Sequence, residues 1–177
     1  MRKTLGLLCV AAMLPLGVIA ANAAGAAGGT TCKTFTGTVV FHPPLPPLSS
    51  KSTVKGYFTV AGKLSNCSGG GVKSATVSGK SVPSKTGSNC TTLATSKTPS
   101  KINVTTKWSN GKTSTGLLTS TPTKNPTIQN VTGTTATGLF KGLHESTQVK
   151  YTIPSGQCTS KPLSKVTLKN SKPVVIK

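Results

Sequence analysis

The stretch KINVTTKWSNGKTSTGLL, residues 101–118, narrows most sharply what this chain can fold into. Ile102, Val104, Thr106 and Trp108 fall on one parity, and Lys101, Asn103, Thr105 and Lys107 on the other. A strand points successive side chains to opposite faces, so this segment reads as a strand with one apolar and one wet face. Asn110-Gly111 then supplies the positive φ angles of a tight type I′ turn. A two-residue loop there sets Ser109 opposite Lys112, Trp108 opposite Thr113, Val104 opposite Leu117 and Ile102 opposite Thr119. Trp108 then lies in the core among β-branched partners; its use as an exposed ligand platform is the competing reading.

The rest of the chain repeats that theme. Segments rich in Val, Thr, Ile and Tyr alternate with Gly, Pro, Asn and Ser near 31–41, 53–66, 72–80, 89–95, 101–108, 112–121, 127–137, 143–153 and 163–169, with a last piece at 173–176. Nothing after the N-terminal leader reads as a helix. Many short antiparallel strands predict an all-β fold, an antiparallel β-sandwich of immunoglobulin-like or related Greek-key topology. FHPPLPPLSS, residues 41–50, packs four prolines into five residues and reads as a rigid linker between the first two strands. SGGG, residues 68–71, reads as a loop.

The N-terminus places Arg2 and Lys3 before an apolar run from Leu5 to Ala20, followed by Ala21-Asn22-Ala23. That order predicts a secretory signal peptide over 1–23, a signal helix cleaved near Ala23. A flexible segment over 24–30 and one domain over 31–177 follow. The leader is short for a membrane span and contains Pro15, and no later segment is apolar enough to cross a bilayer. The expected location is extracellular, with cell-wall association as an extension.

Cys32, Cys67, Cys90 and Cys158 remain after Cys9 departs with the leader, an even number in an oxidising compartment. Of the three pairings open to four cysteines, Cys32–Cys67 with Cys90–Cys158 is favoured. The first links neighbouring early strands and the second ties the middle of the chain to its end. No mature pair has the C-x-x-C spacing of a metal site. Large side chains are scarce, so a core of this composition needs covalent help.

LSNCSGGG, SNCTTL, TTKWSNGKTST and VTGTTATGLFKG follow one another over most of the mature chain. In these motifs the sequence resembles a family of small secreted proteins of actinobacterial type. The resemblance implies a β-sandwich with paired cysteines and carries over no catalytic or binding residue. The lysine content and the GLHEST segment depart from the family pattern.

Glu145 is the single acidic side chain among 177 residues, and it stands beside His144. On a strand the two point to opposite faces, with Glu145 sharing the parity of Val149, Tyr151 and Ile153. Glu145 is expected to meet a lysine at a sheet edge or strand end. Glycoside hydrolysis needs two acids and a Ser-His-acid triad needs an acid that orients His144 or His42, so no catalytic residue is assigned. Calcium and magnesium want several oxygen ligands, usually with carboxylates among them, and zinc would need distant histidines with disulfide-bound sulfurs, so neither metal nor cofactor is expected. The Asn-x-Ser/Thr patterns at Asn66, Asn89, Asn103 and Asn130 arise readily in so Ser/Thr-rich a chain and carry no inference.

Removing Arg2 and Lys3 with the leader leaves 19 lysines against one glutamate, a formal charge of +18. This broad positive field suits anionic cell-wall polymers or acidic membrane surfaces. Without arginine forks or stacking aromatics it does not suit sequence-specific nucleic acid. The leading expectation is a noncatalytic, secreted, cationic protein that associates with the anionic cell envelope. The alternative is a small-molecule carrier or inhibitor, which a deep apolar cleft near Trp108 or Tyr151 would favour and a filled core would count against. A cationic antibacterial protein is a third class, weakened by the lack of a long amphipathic apolar face.

Overall fold

The KINVTTKW segment is the strand it reads as, but its hairpin is one residue longer than the Asn-Gly pair implies. In the computed structural model, which describes residues 28–177, Lys107 lies opposite Thr113, Val104 opposite Gly116 and Ile102 opposite Leu118. The Trp108 amide donates to the Lys112 carbonyl and the Gly111 amide to the Trp108 carbonyl, with Gly111 at φ +79°. This is a three-residue loop closed by a left-handed glycine, so the expected type I′ register is shifted by one. The shift turns Leu118 inward and leaves Leu117 43% exposed. The signal peptide over 1–23 lies outside the described residues.

Eight strands follow in order: β1 Thr30–Leu45, β2 Tyr57–Ser68, β3 Ala75–Ser81, β4 Ser100–Trp108, β5 Thr113–Pro122, β6 Ile128–Gly138, β7 His144–Thr152 and β8 Leu163–Ile176. Each pairs antiparallel with the next, and β8 returns to pair with β1, closing a barrel. The expected two-sheet sandwich is therefore wrong, and so is the Greek-key connectivity. Alternating inward and outward residues look the same in both architectures; what differs is whether the first and last strands meet. Here β1 and β8 are the two longest strands, and their ladder carries irregularities between Cys32 and Thr36 and between Val40 and Leu45. Bulges of this kind sharpen strand twist and bend, which lets a long strand curl enough to shut a sheet on itself.

Other boundaries shift for local reasons. β1 begins at Thr30 and runs through Pro43 and Pro44 into the expected linker, because the β8 ladder is interrupted there and asks for no proline N–H. The separate pieces at 163–169 and 173–176 are one strand. Residues expected as a strand at 89–95 form the short helix α1, Cys90–Thr95. Asn89 Oδ1 accepts from the Thr92 amide and Thr92 Oγ1 accepts from the Asn89 amide, both at 2.9 Å. This reciprocal cap outweighs the strand preference of the threonines.

The two barrel ends are built differently. At one end the connections 69–74, 109–112 and 139–143 are short, and Trp108 and Phe140 meet edge to face with centroids 5.0 Å apart. The Trp108 indole N–H donates to Ser114 Oγ at 2.9 Å, and that hydroxyl donates onward to the Leu139 carbonyl. Cys32–Cys67 staples β1 to β2 here, where the two cysteines are directly opposite in the ladder. At the other end the loops 46–56, 82–99 and 153–162 are long, and Cys90–Cys158 joins two of them. The Cys90 amide donates to the Pro46 carbonyl and the Leu48 amide to the Cys158 carbonyl, so all three loops are tied at one knot. Two disulfides suit an oxidising, extracellular setting.

All 19 lysines from Lys33 to Lys177 are exposed, while the inward parity of the strands is largely apolar, with a minority of Ser, Thr, Gln and Glu side chains. This polarity is the reverse of a membrane-spanning barrel, which turns its apolar face to lipid. Among the described residues no helix is long and apolar enough to cross a membrane.

Candidate functional site

The inward faces of the strands do not meet. They enclose a chamber of about 840 Å³ that reaches from the long loops down to the Trp108 end. An eight-stranded barrel is about the size at which side chains either fill the interior or leave room for one small ligand. This sequence takes the second course because so many inward positions are small. Gly37, Gly62, Gly79, Gly116 and Gly133 share the inward parity of five different strands. Neighbouring side chains lie flat across them: a Cβ on Gly62 would fall 2.5 Å from the Phe35 ring, and one on Gly133 2.6 Å from Leu118. Side chains drawn against the wall leave the axis hollow.

One wall is apolar and the other is mixed. Phe35, Val39, Phe58, Val60, Val77 and Val104 line the side formed by β1 to β4. Ser120, Gln129, Thr147, Tyr151 and Glu145 come from β5 to β7. At the rim Phe41 and Phe58 meet edge to face at 6.2 Å, and His42 stacks on Tyr57 at 5.0 Å. Lys80 Nζ lies 4.0 Å from the centre of the Tyr57 ring. Lys85 and Lys101 also border the opening.

Glu145 lies near the floor. Its backbone is flanked by Gly133 on β6 and Ile176 on β8, and Trp108 and Ile176 line the same chamber. The Thr135 hydroxyl, itself 1% exposed, donates to Glu145 Oε1 at 2.7 Å. Burial pushes the Glu145 carboxyl above its ordinary value of 4.5, and the Thr135 hydrogen bond offsets part of that rise. The lysine partner expected at a sheet edge or strand end does not hold it: a closed barrel has no edge at β7, and among the described residues the hydrogen-bond partner of its carboxylate is Thr135. Tyr151, on the same strand, also has its pKa raised by burial.

His144 takes the opposite face, as strand parity requires. It is exposed, and its Nδ1 is 3.3 Å from the Gly133 carbonyl. His42 is at the far rim, 3.3 Å through Nε2 from Thr59 Oγ1. Histidine and carboxylate are thus kept apart. Among the described residues no cluster of three His, Cys, Asp or Glu side chains could hold a metal ion. Trp108 is 4% exposed and closes the floor rather than forming an outer platform. The chamber itself was missed by sequence reasoning; the recurring inward glycines were the signal that could have announced it.

Fold and site together define a hollow, closed antiparallel barrel with an apolar chamber, a lysine-covered exterior and one carboxylate at the floor. No family model, curated protein or solved structure matches the chain. The functional reading therefore rests on the chamber's own chemistry.

Proposed function

We propose that this is a noncatalytic carrier that holds one small, largely apolar molecule inside the barrel. The observation that carries the reading is the chamber of about 840 Å³, walled by apolar side chains and bordered by both Trp108 and Tyr151. Specific ligand sites are concave, mostly apolar and of this size, with a few polar groups to fix orientation. A fold this poor in large side chains would gain by closing such a space, so leaving it open favours a ligand as its occupant. The separation of His144 from Glu145 supports a binding role over a catalytic one.

The test is titration with an uncharged apolar fluorophore, N-phenyl-1-naphthylamine, following both its emission and Trp108 quenching. Saturable 1:1 binding that Val104→Trp abolishes, with the circular dichroism unchanged, is the expected result. Binding that is absent, or indifferent to a bulky residue in the chamber wall, would remove the proposal.

A second reading concerns the outer surface. The exposure of all 19 lysines favours association of the loaded or empty barrel with anionic cell-wall polymer or acidic membrane. Co-sedimentation with cell walls and acidic vesicles should fall steeply as salt is raised; retention at high salt, or no binding at low salt, counts against it.

A further inference from the structure

The chamber has one acidic group and it is at the bottom, where a purely apolar cargo has no use for it. Carboxylates are rarely set into apolar cavities without a partner, because taking the charge out of water is costly. Here the Thr135 hydroxyl donates to Oε1, Glu145 lines the chamber, and among the described residues no side chain donates to Oε2. No other acidic side chain occurs anywhere in the sequence, so this one is not a sample from an acidic surface. Nineteen lysines lie outside, yet none is turned in to neutralise it.

The groups that face Glu145 are few. From β6 come Gly133 and Thr135 and from β8 Ile176, while Val174 and Trp108 line the same chamber. On its own strand Tyr151 is the other titratable residue lining the chamber. His144 is on the outer face, and Lys177, whose backbone pairs with His144, is exposed. His42, Tyr57, Lys85 and Lys101 are at the opposite, open end. The floor therefore offers a hydrogen-bond acceptor with negative charge and no competing cation.

Resting on the carrier reading, we propose that the cargo is an apolar amine, seated with its protonated nitrogen against Glu145 at the floor and its hydrocarbon against the β1–β4 wall. An ammonium head answers both deficits of the site, since it donates to the free carboxylate oxygen and supplies the missing positive charge. An anionic amphiphile meets the wrong sign at the floor. A neutral alcohol donates one hydrogen bond but leaves the buried charge uncompensated.

The experiment compares decylamine, decan-1-ol and decanoic acid as displacers of N-phenyl-1-naphthylamine from the full chain. The expected order places the amine about tenfold or more ahead of the alcohol, the scale of one charge-assisted hydrogen bond. Glu145→Gln should abolish that preference of amine over alcohol with the circular dichroism unchanged, since the glutamine keeps shape and acceptor without charge. In the unaltered protein the preference should also shrink as pH falls through the raised Glu145 pKa toward 4.5, because an amine stays protonated throughout. That titration decides the matter if Glu145→Gln fails to fold. An amine that binds no better than the alcohol, or a preference that survives in E145Q and is flat with pH, overturns the proposal and leaves the carrier reading standing. Failure of the fluorophore and all three ligands to bind overturns both.

Discussion

Removing Cys90–Cys158 by the double substitution Cys90→Ala and Cys158→Ala should be the most damaging change available outside the barrel wall. The bridge spans 68 residues of sequence, from α1 to the β7–β8 loop. Chain-entropy arithmetic for a loop of that length gives about 4.4 kcal/mol at 25 °C, released to the unfolded state when the bond is absent. For a domain of this size that corresponds to a fall of about 9–18 °C in melting temperature. The loss will be concentrated at the open end, since the backbone bonds from Cys90 to Pro46 and from Leu48 to Cys158 depend on the same knot. Cys32–Cys67 is different: it spans 35 residues and joins β1 and β2 side by side within a continuous ladder. Its removal should cost about 3.8 kcal/mol on the same arithmetic, with the strands still paired around it. Urea denaturation of both variants measures the two losses, and amide exchange locates them. A Cys90/Cys158 variant that loses less than about 1 kcal/mol would refute the entropic reasoning. Faster exchange spread evenly through β1 to β8, instead of in the loops 46–56, 82–99 and 153–162, would refute the assignment to the mouth.

Three further outcomes follow from particular contacts. Gly62→Ala sets a methyl 2.5 Å from the Phe35 ring, so it should cost about 1–3 kcal/mol in urea melts and alter the chamber wall. Trp108→Phe removes the donor to Ser114 and part of the edge-to-face packing on Phe140; a loss of about 1–3 kcal/mol is expected by thermal melting, and no loss would mean the floor is not tightly built. Because burial raises the Glu145 pKa, the folded state holds the proton more tightly than the unfolded state between pH 4.5 and that raised value. The group's stability contribution is full below 4.5 and is lost as pH rises through the folded value, so the difference in unfolding free energy, native protein minus E145Q, should decline across that window; a rise would contradict the buried position.

Strand content was legible because it depends on local alternation. Ile102, Val104, Thr106 and Trp108 share a face for the same reason in a sandwich and in a barrel. Closure was not legible, because it depends on β1 meeting β8 across more than a hundred residues, a distance over which period-two patterning carries no information. The hairpin register slipped by one at Gly111, since an Asn-Gly pair fits either a two-residue turn or the last two positions of a three-residue one. Helix α1 was hidden by Thr91, Thr92 and Thr95, whose strand preference is overridden by a cap that only a fixed Asn89 can make. At the site, the parity of Glu145 against His144 could be read directly, but its partner could not. Thr135 reaches it from another strand, through a pairing that only the β6–β7 register defines.

The hollow interior and the weak composition are two sides of one fact. A chain with few aromatics and many inward glycines cannot fill an eight-stranded barrel, and it gives up the dispersion contacts that a packed core would supply. What holds it is a backbone ladder without edges, stapled at both ends by disulfides and sealed at the floor by Trp108 and Phe140. Those devices constrain the wall and leave the axis free, so stability and cavity do not compete for the same residues. The charge distribution follows the same division. Lysines crowd the outside, where water screens them, and the one acid is inside, where low dielectric strengthens whatever it meets. A surface so uniformly positive says little about which molecule is bound. The single group of opposite sign lines the chamber, so under the carrier proposal it is where selectivity would reside.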